Sequence, residues 1–143
     1  MFLGEHQHLV DPKGRVILPA RFRQDLEGGL VVTKGLDDCL FVFTTSEWEK
    51  VEDKIRELPT TKRDARAFAR NMFSGASSNI LDKQGRLMIP QNLREFAGLK
   101  KDVVVIGVGT RVEIWDKAKW EKYKKETEKG FSEKAEELAD LGI

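Results

Sequence analysis

Residues 11–23 read DPKGRVILPARFR, and residues 82–94, 71 positions further on, read DKQGRLMIPQNLR. Asp, Gly, Arg, Pro and the closing Arg are identical in the two phrases, and the apolar positions stay apolar. The same offset carries Met1, Phe2 and Gly4 onto Met72, Phe73 and Gly75. After a one-residue slip, Gly35 falls on Gly107, the run Leu40 to Phe43 on Val112 to Trp115, and Trp48 on Trp120. A chain duplicated in this way folds as two copies of one supersecondary unit, which stack or intertwine about a pseudo-two-fold axis and display any surface device twice. The division that follows is approximately 1–55 for the first repeat, 56–71 for a helical connector, 72–127 for the second repeat and 128–143 for a C-terminal helix. At 143 residues the two repeats fit one domain with a shared core, each being too small to bury a core alone.

Within each repeat a short apolar segment meets the turn Asp-x-x-Gly-Arg and continues into Val16-Ile17-Leu18 or Leu87-Met88-Ile89, a pattern that reads as a β-hairpin. Gly14 and Gly85 suit a position of positive φ, and Asp11 and Asp82 can accept bonds from turn amides two residues on. Pro19 and Pro90 end the strand and open a short helix, ARFRQDL or QNLREFA, with Gly28 and Gly98 placed to terminate it. The runs starting at Leu30 and Leu40, and at Val103 and Val112, supply a second strand pair per repeat. Ser46 followed by Glu49 resembles a capping box for an amphipathic helix carrying Trp48, Val51 and Ile55. Its counterpart starts at Asp116 and carries Trp120 and Tyr123. The connector has its own helical pattern in Ala65, Phe68, Ala69 and Met72, with Lys62, Arg63, Arg66 and Arg70 outside it. A last stretch, Ser132 to Leu141, reads as a helix with Phe131, Ala135 and Leu138 on one face, able to cap the core or a neighbour. The fold class expected is α+β.

Net charge is +1 although 34% of residues are charged, which excludes binding of polyanions by bulk positive charge and requires any nucleic-acid surface to be local. The single cysteine, Cys39, lies in the run CLFVF and reads as a small buried hydrophobe. His6 and His8, the only histidines, alternate along a strand with no cysteine or acidic pair to complete a metal site, and read as an exposed strand pair. No nucleophile elbow and no phosphate-cradling glycine loop is present, so neither an enzyme nor a cofactor is expected. The N-terminal residues lack the pattern of an export signal, and no run approaches the roughly 20 apolar residues of a membrane span, so a cytoplasmic protein without a membrane partner is expected.

The turns are the strongest functional signal. Asp11-Pro-Lys-Gly-Arg15 and Asp82-Lys-Gln-Gly-Arg86 put cationic side chains on rigid supports that form a two-pronged surface. Arg15 and Arg86 on such a support are oriented to donate two hydrogen bonds to guanine O6 and N7, while Lys13 and Lys83 suit phosphates. The plain alternative is that Asp and Arg pair across each turn and hold its shape. The two readings are compatible.

The opening MFLGE, the doubled D-x-x-G-R turn with its apolar triplet and Pro, the segment GLDDCLF and the phrase VEIWDKAKW resemble the MraZ family of bacterial regulators, within the AbrB-like swapped-hairpin superfamily. The resemblance covers essentially the whole chain. It implies a small β-barrel of two interleaved swapped-hairpin repeats, decorated by short helices. It also implies a sequence-specific regulator that binds double-stranded DNA as a ring-like homo-oligomer, at short direct repeats in the promoter of its own division and cell-wall gene cluster. The family's D-x-x-x-R motif maps onto Asp11 with Arg15 and Asp82 with Arg86, a surface that faces DNA in the family. A second reading from the same superfamily is an antitoxin-like module that occupies a protein partner. Oligomer interfaces are to be sought on the Trp48 and Trp120 helices or the C-terminal helix, although both tryptophans also suit an intramolecular core.

Overall fold

The apolar alternation and turn residues of each repeat resolve, in the computed structural model, into the same sequence of elements twice over. Residues 1–142 are described; residue 143, the last of the expected C-terminal helix, lies outside the described residues. The first half contains β1 (Glu5–Leu9), β2 (Arg15–Ile17), α1 (Ala20–Leu26), β3 (Leu30–Lys34), β4 (Leu40–Thr44), α2 (Thr45–Arg56) and α3 (Arg63–Gly75). The second contains β5 (Ser77–Asn79), β6 (Arg86–Met88), α4 (Gln91–Ala97), β7 (Asp102–Val108), β8 (Arg111–Asp116), α5 (Lys117–Glu128), α6 (Phe131–Glu137) and a 3-10 turn, Ala139–Leu141. The described residues thus form a mixed α+β fold of eight strands and six helices, as expected.

Strand pairing binds the halves together. One sheet has the order β1-β7-β8-β4-β3-β5, and β2 pairs with β6 in a separate two-stranded ladder. Exchanging each strand for its counterpart in the other repeat reverses the six-stranded order and leaves it unchanged, which is the signature of a pseudo-two-fold axis. The registers locate that axis: Val16 faces Leu87, and Phe41 faces Glu113, each pair being the same repeat position in the two copies. β1 completes the second repeat's hairpin by pairing with β7, and β5 completes the first by pairing with β3.

Two expectations are corrected here. Asp11 to Arg15 does not close a hairpin between β1 and β2, which share only the isolated bridge Val10–Val16. The three residues of β2 ladder with β6 instead, because Val16 and Leu87 are both fully buried only when the two copies meet. The six-stranded sheet, moreover, ends in two edges, β1 and β5, which are not bonded to each other, so its hydrogen bonding does not close into a barrel.

The shared core lies under the sheet and draws on both repeats, with Phe22, Leu26 and Leu18 of the first packed among Leu87, Ile89 and Leu93 of the second. Burial of whole Leu and Phe side chains, each worth about 1.5 to 3 kcal/mol, therefore depends on both copies being folded at once. On the opposite face, Cys39, Val104, Ile106 and Trp115 form a second cluster closed by Trp120 and Tyr123 of α5. Trp48 of α2 packs against Phe43 and Phe73. Both tryptophan helices use their aromatics within the chain. Cys39 is buried as expected, its thiol donating to the Leu36 carbonyl at 3.1 Å and held above its ordinary pKa first by burial.

Smaller differences have local causes. The cap of α2 is Thr44, whose hydroxyl accepts from the Glu47 amide at 3.1 Å, two residues before the Ser46 box. α4 ends at Gly98 with φ 60°, but α1 is capped by Glu27, and the left-handed residue that follows is Gly29 rather than Gly28. Met72, Phe73 and Gly75 are helical, unlike Met1, Phe2 and Gly4, because α3 runs into them. His6 and His8 are half-buried rather than exposed, the His6 ring standing edge-on to Phe22 at 5.3 Å.

Candidate nucleic-acid interface

Each repeated turn is built by its aspartate. Oδ1 of Asp11 accepts from the amides of Lys13 and Arg15, both at 2.9 Å, while Oδ2 accepts from Nε of Arg15 at 2.7 Å. The Gly14 amide donates to the Asp11 carbonyl, and Gly14 has φ 83°, a conformation that costs a residue with a Cβ about 1 to 2 kcal/mol. The second turn repeats this arrangement: Oδ1 of Asp82 accepts from the amides of Gln84 and Arg86, Oδ2 from Nε of Arg86 at 2.6 Å, and Gly85 has φ 76°. The amide of the arginine is the main reason that each carboxyl is held below the ordinary aspartate range.

The amide bonds to Oδ1 therefore hold each turn, while the bond from Nε to Oδ2 restrains the guanidinium. Tethering through Nε leaves both terminal nitrogens of Arg15 and of Arg86 without a hydrogen bond among the described residues. With 25% of each side chain exposed, neither group is locked inside. The ladder then sets the two side by side. Arg15 faces Met88, and Arg86 faces Ile17, so all four side chains share one face while Val16 and Leu87 fill the other. Two rungs along the ladder separate the arginines, roughly 7 Å at the rise of a β-strand. Between them lie Ile17 and Met88, 43% and 45% exposed. Lys13 and Lys83 are exposed on the turns and make no ion pair among the described residues.

A pair of residues absent from the sequence reading of the site supports the turns from beneath. Arg94 of the second repeat lies across Gly14 of the first, where a Cβ would stand 2.8 Å from its guanidinium carbon. Arg23 lies across Gly85 in the same way. Each anchors itself by donating Nε to a carbonyl of its own repeat, Arg94 to Ile89 at 3.0 Å and Arg23 to Leu18 at 2.9 Å. The carbonyls of Gly14 and Gly85 in turn accept from the amides of Ile89 and Leu18 at 3.0 Å. The signal that could have found these residues was present, since Arg23 and Arg94 are the identical closing residues of the repeated phrase.

The whole of the chain has known relatives. The family model described as "MraZ protein, putative antitoxin-like" matches twice, at residues 1–71 and 72–142. Among curated proteins, the "Transcriptional regulator MraZ" of Acetivibrio thermocellus is 55% identical over 143 residues, covering 100% of both chains. Those of Natranaerobius thermophilus and Moorella thermoacetica are 54% and 53% identical, again over 100% of both chains.

Proposed function

The chain belongs to the MraZ family, whose members are transcriptional regulators and not enzymes, and on that premise we propose that it binds double-stranded DNA in a sequence-specific manner through its paired turns. The observation that carries this reading is the placement of Arg15 and Arg86 on one face, each tethered by Nε to an aspartate with its terminal nitrogens unpaired. A guanidinium so held can present two donors to guanine O6 and N7 with little further ordering, and Lys13 and Lys83 on the flanks suit the phosphates on either side. The exchange of β1 and β5 between repeats supports a swapped-hairpin unit.

One such surface neutralises few phosphates, so its affinity for a single site is modest and falls steeply with salt. A homo-oligomer, ring-like in our reading, engaging several direct repeats raises affinity by on the order of 10² to 10⁴ through linked binding. The regulator then acts in the cytoplasm, on the nucleoid, at repeats in the promoter of its own division and cell-wall genes. The antitoxin-like reading rests on the superfamily resemblance and on the exposed, amphipathic C-terminal segment; it predicts a protein partner that competes with DNA or replaces it.

Fluorescence anisotropy with a duplex from the chain's own promoter region, against a shuffled duplex of equal length, tests the proposal. Specific binding that disappears in R15A/R86A with an unchanged melting curve supports it. Equal affinity for both duplexes sinks it.

A further inference from the structure

Among the described residues, α6 and the 3-10 turn after it form an arm. The arm makes no extensive contact with any element but itself. Phe131 is 73% exposed, Leu138 44% and Leu141 78%. Phe131, Ala135 and Leu138 follow helical spacing on one side, and Leu141 extends the same stripe. The arm is acidic around this stripe, with Glu133, Glu136, Glu137 and Asp140 against Lys134 alone. Its counterpart in chain order, α3, is seated on β3.

A complementary surface exists elsewhere on the molecule. Between α2, α3 and the outer side of β4 runs an apolar groove of about 270 Å³, floored by Phe43, Ile55 and Met72 and walled by Leu36 and Phe68. The floor is buried, whereas Leu36 is 59% and Phe68 42% exposed. Lys54 and Arg111 line its edge, Arg111 being paired with Glu113, and on the α3 side residues 62 to 70 carry Lys62, Arg63, Arg66 and Arg70 against Asp64. Lys54 makes no ion pair among the described residues. An amphipathic helix lays its apolar face into a groove of this kind, and here the cations on the α3 side of the groove are opposite in sign to the acids of the arm.

We propose that the arm of one copy docks in the α2–α3 groove of the next. The inference rests on the oligomer reading above and gives that oligomer its contact surface. Arm and groove are different patches of one chain, so the contact is head-to-tail and propagates until it closes on itself. It also leaves the β2–β6 face of every copy uncovered.

Two variants in the full chain test the proposal: F131D/L141D spoils the arm, and L36D/F68D spoils the groove. All four positions are exposed, and circular dichroism establishes that the fold is retained. Light scattering should find the unaltered protein oligomeric and each variant monomeric. Mixing the variants should give a one-to-one dimer that grows no further, because the only intact arm then meets the only intact groove. A duplex with one repeat should bind both variants as it binds the unaltered protein, and one with several repeats at least 10²-fold more weakly. Variants that stay oligomeric, or monomeric variants that fail to combine on mixing, overturn the proposal while leaving the oligomer reading intact. An unaltered protein that is itself monomeric overturns both, whether the arm folds back on its own chain or serves a foreign partner.

Discussion

Arg15 and Arg86 project from the same face of a two-stranded ladder, set diagonally about the apolar pair Ile17 and Met88. Neither residue owes its position to its own repeat alone, since β2 and β6 form their ladder with each other. The proposed DNA surface is therefore a product of the association of the repeats.

Replacing Arg15 or Arg86 with Ala should cost about 1 to 3 kcal/mol of specific binding each. Anisotropy against cognate and shuffled duplexes measures the loss, and the melting midpoint should stay near that of the unaltered protein. Lysine should rescue little, since it has neither the Nε tether nor the planar fork. Full rescue by lysine would reduce the role of these residues to charge.

Asp11→Asn and Asp82→Asn keep an oxygen for the turn amides but remove the charge that restrains the guanidinium. The double variant should bind shuffled DNA more tightly, while the ratio of cognate to shuffled affinity falls. A parallel rise in both affinities would show that the aspartates do not aim the arginines.

Lys13→Ala should weaken binding to all sequences alike and lower the slope of log affinity against log salt by about 1. Titrations between low and moderate salt read this directly. A change confined to one sequence would assign Lys13 to base recognition.

Gly14→Ala should destabilise the fold by about 1 to 2 kcal/mol from its positive φ, with a further loss from the approach of Arg94. Arg94→Ala removes the second component, so a double-mutant cycle on melting should return a coupling between the two sites. Simple additivity would show that the bracing side chain moves aside freely.

Stability should fall in acid in two separable steps. His8 is held below its ordinary pKa, first by desolvation, so the fold favours its neutral form; that contribution is complete above about pH 6.5 and is lost as pH falls through the folded value. Asp11 and Asp82 are held low, first by backbone amides, so their contribution is complete above about pH 3.9 and is lost at still lower pH. Melting of His8→Asn should lack the upper step, and that of D11N/D82N the lower.

Much of the fold is legible from local chemistry. The runs at Leu30, Leu40, Val103 and Val112 are strands, Asp116 caps its helix, and both Asp-x-x-Gly-Arg turns use the aspartate and glycine as those residue types demand. What stayed hidden is non-local. Val10 and Val16 flank a tight turn that in isolation favours a hairpin, yet beyond that one bridge β2 ladders with β6, where Val16 is buried opposite Leu87. Met72 and Phe73 match Met1 and Phe2 residue for residue but continue α3, which a duplicated sequence cannot announce. The brace of Arg94 over Gly14 joins residues 80 positions apart, beyond the reach of periodicity.

The pairing of Phe41 with Glu113 on the axis has one more implication. Two identical subunits would place the same residue there twice, and their footprint would be blind to which way round the double helix lay. In this chain the copies have drifted: Glu113 binds Arg111 and Trp115 where its twin is a phenylalanine, and one turn carries Lys13 where the other carries Gln84. Fusion of the halves has given the molecule a heading, and on the proposed DNA-binding reading that heading requires successive boxes on a promoter to run in the same direction.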